Sequence, residues 1–359
     1  MKKIEVFISL LGLFFLTLTG SRNVSKIVLG AYYFDGWTGT YPYHITQSLK
    51  DSFKVREPKW GWITSKQEIV DQQVISASKM GLSFFTFCWY FNNKKLCEDE
   101  TLNQALNFYK RSINKNKIKY CLMVANHKGF EIGPNDWEIV SDTWINNFID
   151  KKSYLNAEGN PLLIFFSFQT LIEKFGSVSE VNRAFNTLRE KAVKRGLHGV
   201  TIAACSYPNE KDIQLIEQCG FDVITGYNYH SAGVNSSNSD KIIQIDSLTK
   251  WEKKIWDKFK FVSKLKYIPV STLNWDPRPW ANGTNSYSKE IRYTGFSSES
   301  VYNSLISCKN WLQNNKNFTA TEKIAILYAW NENGEGAWLT PGKNGFNPGS
   351  RIKKALKHN

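Results

Sequence analysis

Glu332 and Glu335 stand three residues apart in the run Tyr-Ala-Trp-Asn-Glu-Asn-Gly-Glu-Gly-Ala-Trp-Leu, residues 328–339. On a helix that spacing would put two carboxylates on one solvated face. Gly334 and Gly336 work against a helix, and an apolar run leads directly into the pair. The expected local structure is a strand opening into a loop, with the acids at its mouth. Two carboxylates beside one bond are the equipment of glycoside hydrolysis: one protonates the leaving oxygen, the other acts as nucleophile or base. Two acids so close should not titrate alike. The charge on one should raise the pKa of the other, leaving Glu335 protonated and Glu332 ionised. No Ser-His-Asp order, phosphate loop or Cys/His cluster competes, so neither cofactor nor metal is expected.

Something must position that loop. Eight short, nearly continuous apolar runs recur along the chain: Ile27–Tyr33, Leu82–Tyr90, Tyr120–Asn126, Leu162–Phe168, Val200–Cys205, Val223–Tyr227, Tyr267–Leu273 and Ile324–Trp330. Runs of this kind suit strands covered on both faces. Helical periodicity fills the gaps. Ser65–Glu68 reads as a capping box ahead of Val70, Val74 and Ala77, and Ser177 with Glu180 as another ahead of Val181, Phe185, Leu188 and Ala192. Eight alternations predict an α/β fold, a single-domain (β/α)8 TIM barrel spanning residues 22–359. A doubly wound open sheet is the alternative, but no Gly-rich phosphate turn follows the first run. Two long loops, 35–64 and 274–297, are expected to be functional.

Barrel chemistry sits at the C-terminal ends of the strands. The residues found there are Tyr33, Asp35 and Trp37; Trp89 and Tyr90; Asn126 and His127; Tyr227, Tyr229 and His230; Trp275, Asp276 and Arg278; and Asn331, Glu332 and Glu335. Aromatic rings alternate with amides, imidazoles and acids, the composition of a carbohydrate site. Trp37, Trp89, Tyr227 and Trp275 are expected to line one cleft. Each residue also has a plainer reading. His127 alone suits a satisfied loop histidine, Asp276 with Arg278 a rigid turn, Trp89 and Trp275 a cap on the core. Arg56 and Glu57 suit a pin for the first loop as well as a substrate contact.

The chain starts with two lysines, an apolar run over residues 6–18 and the small residues Thr19, Gly20 and Ser21. This is the pattern of a secretory signal peptide, residues 1–21, with an uncleaved anchor as the alternative. No second long apolar stretch follows, so the expected product is exported, periplasmic or extracellular, without stable membrane insertion. The formal charge of +14 comes from lysines spread along the chain. No nucleic-acid motif accompanies them, and the expected partner is an oligo- or polysaccharide substrate. Of six cysteines, Cys88, Cys121, Cys205 and Cys308 lie in apolar runs or on an apolar helix face and read as buried thiols.

Several stretches resemble glycoside hydrolase family 99-like proteins of the WbsX type: GAYYFDGW, REPKWGW, GLSFFTFCWYF, MVANHKG, GNPLLIFF, GFDVITGYNY, NWDPRPW and AWNENGEGAWLTP. The resemblance covers roughly Leu29 to Pro341. It implies a (β/α)8 barrel and a retaining glycosidase acting on α-linked, mannose-containing glycans. Glu332 would be the base that deprotonates the sugar's own 2-hydroxyl, and Glu335 the general acid/base. Relatives usually carry Trp directly after the first Glu, where this chain has Asn333, which bears on the wall of the sugar pocket. The resemblance leaves two other readings open: a WbsX-type glycosyltransferase of polysaccharide synthesis, and a non-catalytic glycan-binding barrel.

Overall fold

The computed structural model describes residues 27–92, 99–232 and 241–358. The predicted signal segment, Cys97 and residues 233–240 lie outside the described residues. All eight apolar runs form strands, ending one to three residues earlier than the runs where their ends differ. They are Val28–Tyr33, Phe84–Trp89, Lys119–Val124, Asn160–Phe165, Thr201–Cys205, Val223–Thr225, a divided seventh strand, and Ile324–Tyr328. Each pairs in parallel with the next, and the first pairs with the eighth, Val28 opposite Ile324.

The seventh strand is divided because Pro269 has no N–H to give to a ladder. Lys266–Tyr267 pairs with the sixth strand and Val270–Thr272 with the eighth. Across the break, the Ile268 amide donates to Ile224 O at 2.9 Å and the Ile326 amide donates to Pro269 O at 3.1 Å. The cylinder therefore closes through a strand that changes hands at its proline. The chain is one TIM barrel.

Helices cover the outside: Gln67–Met80, Gln104–Arg111, Pro134–Thr143, Val178–Lys194, Glu210–Cys219, Ile245–Val262, Ser298–Asn314 and Gly349–Lys357. Val181, Phe185, Leu188 and Ala192 are all buried on the fourth of these, and Ser177 caps it by accepting from the Glu180 amide at 3.2 Å. The box expected at Ser65–Glu68 does not form. Lys66 is the N-cap residue and makes no side-chain cap bond. The Ser65 hydroxyl donates instead to Asp35 Oδ2 at 3.1 Å, because a buried carboxylate needs donors more than a solvated helix end does. Cys88, Cys121, Cys205, Cys219 and Cys308 are free and buried. Among the described residues no helix is long and apolar enough to cross a membrane.

Several rings expected at the rim belong to the core. Tyr33 packs on Phe85 and Phe87. Trp89, fully buried, meets Trp144 edge-on at 5.5 Å and Phe148 at 6.3 Å. Tyr229 shares a hydrogen bond with the Tyr267 hydroxyl at 2.9 Å. Trp89→Ala should therefore leave a large cavity and cost about 3–5 kcal/mol of stability. Urea unfolding at constant pH measures it, and an unchanged midpoint would contradict this packing.

Candidate active site

The acid loop is a hairpin. Asn331–Glu332 pairs antiparallel with Ala337–Trp338, so the strand leading out of the barrel turns back over four residues. Gly334 sits beneath the Trp280 ring, where a Cβ would lie 1.9 Å from a ring carbon, and Gly336 adopts φ +83°. Neither position admits a larger residue without displacement.

Arg56 holds this hairpin from the first loop. Its Nη1 donates to the carbonyls of Asp276, Asn333 and Gly334 at 3.0, 3.2 and 3.2 Å. Its Nη2 meets Asp276 Oδ2 at 2.5 Å. In return Asn333 Nδ2 donates to Arg56 O at 2.6 Å. The Asp276 amide donates to Glu335 O at 2.7 Å, and Asn274 Nδ2 donates to Gly336 O at 2.6 Å. Three loops thus converge on one guanidinium. Burial pulls Arg56 down to about 10, which leaves it charged at neutral pH. Burial acts to raise Asp276, but Arg278 and Arg56 outweigh it and hold the carboxyl below its ordinary range.

So fixed, Glu332 and Glu335 line a cavity of 790 Å³ at the C-terminal mouth of the barrel. Glu332 is buried and accepts from the Tyr227 hydroxyl at 2.6 Å. Glu335, half-buried, accepts from the Tyr328 hydroxyl. Burial pushes Glu332 up to about 7, partly offset by the Tyr227 hydrogen bond. Burial pushes Glu335 up to about 8, with Glu290 adding its charge. Removal from water lifts both carboxyls, where mutual repulsion had been expected.

Of the expected site residues, Tyr90, His127 and Tyr227 share this cavity with the two acids. The others do not line it. Tyr33, Trp89 and Tyr229 are core. Asp35 accepts from the Ala105 amide and Ser65, joining two loops. The Trp37 indole donates to Asn331 O, and its ring lies behind Trp280. Asn126 and Asn331 clamp backbone, at Ser167 and at Phe34 respectively. His230 stacks on Trp275 at 4.1 Å, away from the cavity. Arg278 and Asp276 form the turn ion pair at 2.7 Å. The expectation of one cleft lined by Trp37, Trp89, Tyr227 and Trp275 is corrected to Tyr227 alone.

The reading missed Trp280, His44, Tyr41, Phe166, Tyr287 and Glu100, all of which line the cavity. Trp280 ends the NWDPRPW stretch, whose aromatic and proline content marks it in the sequence. Tyr41 and His44 lie within a loop flagged only by its length. Asn333 is buried and turned toward Arg56, so the wall at that place is Trp280. Among the described residues no group of His, Cys, Asp or Glu gathers as a metal site requires.

The family model described as "Glycosyltransferase WbsX" matches residues 62–347. The chain belongs to the WbsX family. No curated protein matches it. Among solved structures it is similar to the GH99 endo-α-mannosidase from Bacteroides thetaiotaomicron, at 13% identity, TM-score 0.58, and coverage of 92% of this chain and 95% of that one. It is also similar to a glycoside hydrolase-like protein at 15% identity, TM-score 0.62, and coverage of 93% and 95%. At these identities the likeness is one of fold, and this WbsX protein shares the barrel of glycoside hydrolases along nearly its whole length.

If Arg56 is the keystone, its loss should exceed that of its exposed neighbour. Arg56→Ala, which takes the buried guanidinium away from three loop carbonyls and leaves Asp276 with Arg278 alone, should cost about 3–5 kcal/mol. Arg278→Ala, whose side chain is 41% exposed, should cost about 1 kcal/mol or less. Denaturant unfolding of both variants checks the ordering, and equal losses would refute it.

Proposed function

We propose that the protein is an exported, retaining glycoside hydrolase acting on α-linked glycans, mannose-containing ones among them. The observation that carries this reading is the pair Glu332 and Glu335, held on a rigid hairpin at the wall of an aromatic cavity, with both carboxyls raised to near neutral pH. In the first step Glu332 takes the proton of the sugar's 2-hydroxyl. That oxygen attacks the anomeric carbon, the glycosidic bond breaks, and Glu335 protonates the departing oxygen. In the second step Glu335 takes a proton from water as the water attacks the anomeric carbon, and Glu332 returns its proton to the 2-oxygen. Tyr227 steadies Glu332 and Tyr328 steadies Glu335. Tyr90, His127, Tyr227, Trp280 and Tyr287 contact the sugar, while Asp35, Trp37, Asp276, Arg278 and Asn331 position the loops around it.

The family's description favours a second reading, transfer of sugar from an activated donor. The lining speaks for hydrolysis. Among the described residues it holds Glu100, Glu332 and Glu335 and no Lys or Arg, a poor setting for a nucleotide diphosphate. Export, with removal of residues 1–21, agrees with this because such donors are cytoplasmic. N-terminal sequencing of protein from its native host should begin near Arg22, and an intact Met1 in the cytosol would overturn the export reading.

The working test is release of oligosaccharides from a panel of α-linked polysaccharides, followed by mass. On a substrate so found, Glu332→Gln should abolish nearly all turnover. Glu335→Gln should spare part of the rate on an activated aryl glycoside, whose leaving group departs without a proton. Activity needs Glu332 ionised and Glu335 protonated. The rate should fall below about pH 7 as Glu332 takes up its proton, and above about pH 8 as Glu335 loses its own. Wild-type turnover by both variants would remove the pair from the chemistry.

A further inference from the structure

Beside the main cavity lies a second hollow of 600 Å³, built from the long loop after the first strand. Tyr43, Trp60, Trp62 and Ile63 line it, with Lys50 and Lys66. His44 lines both cavities. The segment around it forms the ridge between them: Tyr41 faces the inner cavity, Tyr43 the outer one, and the two rings meet edge-on at 6.2 Å. Both tyrosines are strongly exposed, at 77% and 74%. Single exposed aromatics need no explanation. Two in contact, on the ridge between two hollows, contribute little to the core and present flat apolar faces to water.

The ridge is fixed in place. The Thr46 hydroxyl donates to Pro279 O at 2.9 Å, tying it to the segment that carries Trp280. His44 packs edge-on against Phe34 and Trp280 at 4.9 and 5.6 Å. Below it, Trp62 leans on Trp37 at 6.3 Å, and Trp37 stacks on Trp280 at 6.3 Å. An aromatic row thus runs from the floor of the outer hollow to the wall of the inner one. The Trp60 indole donates to Gln72 Oε1 at 2.6 Å, which holds that ring's orientation. The lining of the outer hollow carries two ammonium groups and no carboxylate. Those groups are donors suited to hydroxyl oxygens, where the inner cavity presents acids.

We propose that this outer hollow is a second carbohydrate subsite, which stacks a sugar ring from the distal part of the same glycan chain whose reacting unit occupies the inner cavity. The inference rests on the reading of the inner cavity as a glycan site. It makes the substrate an oligomer long enough to cross the Tyr41–Tyr43 ridge. Tyr43 supplies the exposed face, Trp62 the floor, and Lys50 and Lys66 the donors at the edge.

The test uses calorimetric binding of α-mannan oligosaccharides of increasing length to the Glu335→Gln protein, so that hydrolysis does not consume the ligand. Affinity should rise in a step once the oligosaccharide spans the ridge. Tyr43→Ala and Trp60→Ala, each introduced beside Glu335→Gln, should remove that step, a loss of about tenfold for one aromatic contact. Affinity for the shortest ligands should stay unchanged, and Tyr43→Phe should restore the step. Binding at every length without a step, or a step that survives both variants, overturns the outer subsite and leaves the inner site standing. No binding at any length overturns both. A change in sedimentation of Tyr43→Ala with unaltered glycan affinity would mark the patch as a contact between copies of the chain and overturn the proposal.

Discussion

One guanidinium, that of Arg56, meets three loop carbonyls and a carboxylate in the space above the barrel. Each of those acceptors is buried or nearly so, and the carboxylate is shared with Arg278. A buried charge is stable only when its surroundings supply opposite charge and well-placed acceptors. The first loop, the loop after the seventh strand and the acid hairpin satisfy that demand together. Their mutual arrangement follows from the need to satisfy one ion. The placement of Glu332 and Glu335 is a by-product of the same geometry, since Asn333 and Gly334, which lie between them, are two of the residues Arg56 grips.

The hairpin's own chemistry fits this. Two carboxyls lifted toward neutrality are costly to bury, and a mobile loop would let them turn to water. Trp280 pressed onto Gly334 and the left-handed turn at Gly336 leave little room for that motion. Hydroxyls from Tyr227 and Tyr328 give each acid one directed partner. Rigidity here comes from packing and polar contacts at the ends of the hairpin, because its ladder is only two residues long on each side.

Much of this was legible in the residues, for reasons that can be named. Strands buried on both faces leave continuous apolar runs, and all eight were visible. The glycines around the acids announced a turn. What the residues did not disclose was side-chain direction at strand ends. Trp89 and Tyr90 are neighbours, and a strand sends neighbours to opposite faces. Trp89 goes outward to the helices and Tyr90 inward to the cavity. The same alternation separates Asn331, which clamps Phe34, from Glu332. Nor does local spacing tell when a side chain has a better partner far away. Ser65 abandons its helix for Asp35, and Arg56, expected equally as a pin for the first loop or a substrate contact, reaches across 277 residues of sequence to Asn333.

That reach sets an order of assembly. The first strand pairs with the eighth, Asn331 clamps Phe34 across 297 residues, and the acids stand near the end of the chain while their anchor stands near its start. Contacts so distant in sequence form late, after shorter loops have closed. The acid hairpin and Arg56 meet only where the eighth strand lies between the seventh and the first, so neither half of the chain alone contains the arrangement around that guanidinium.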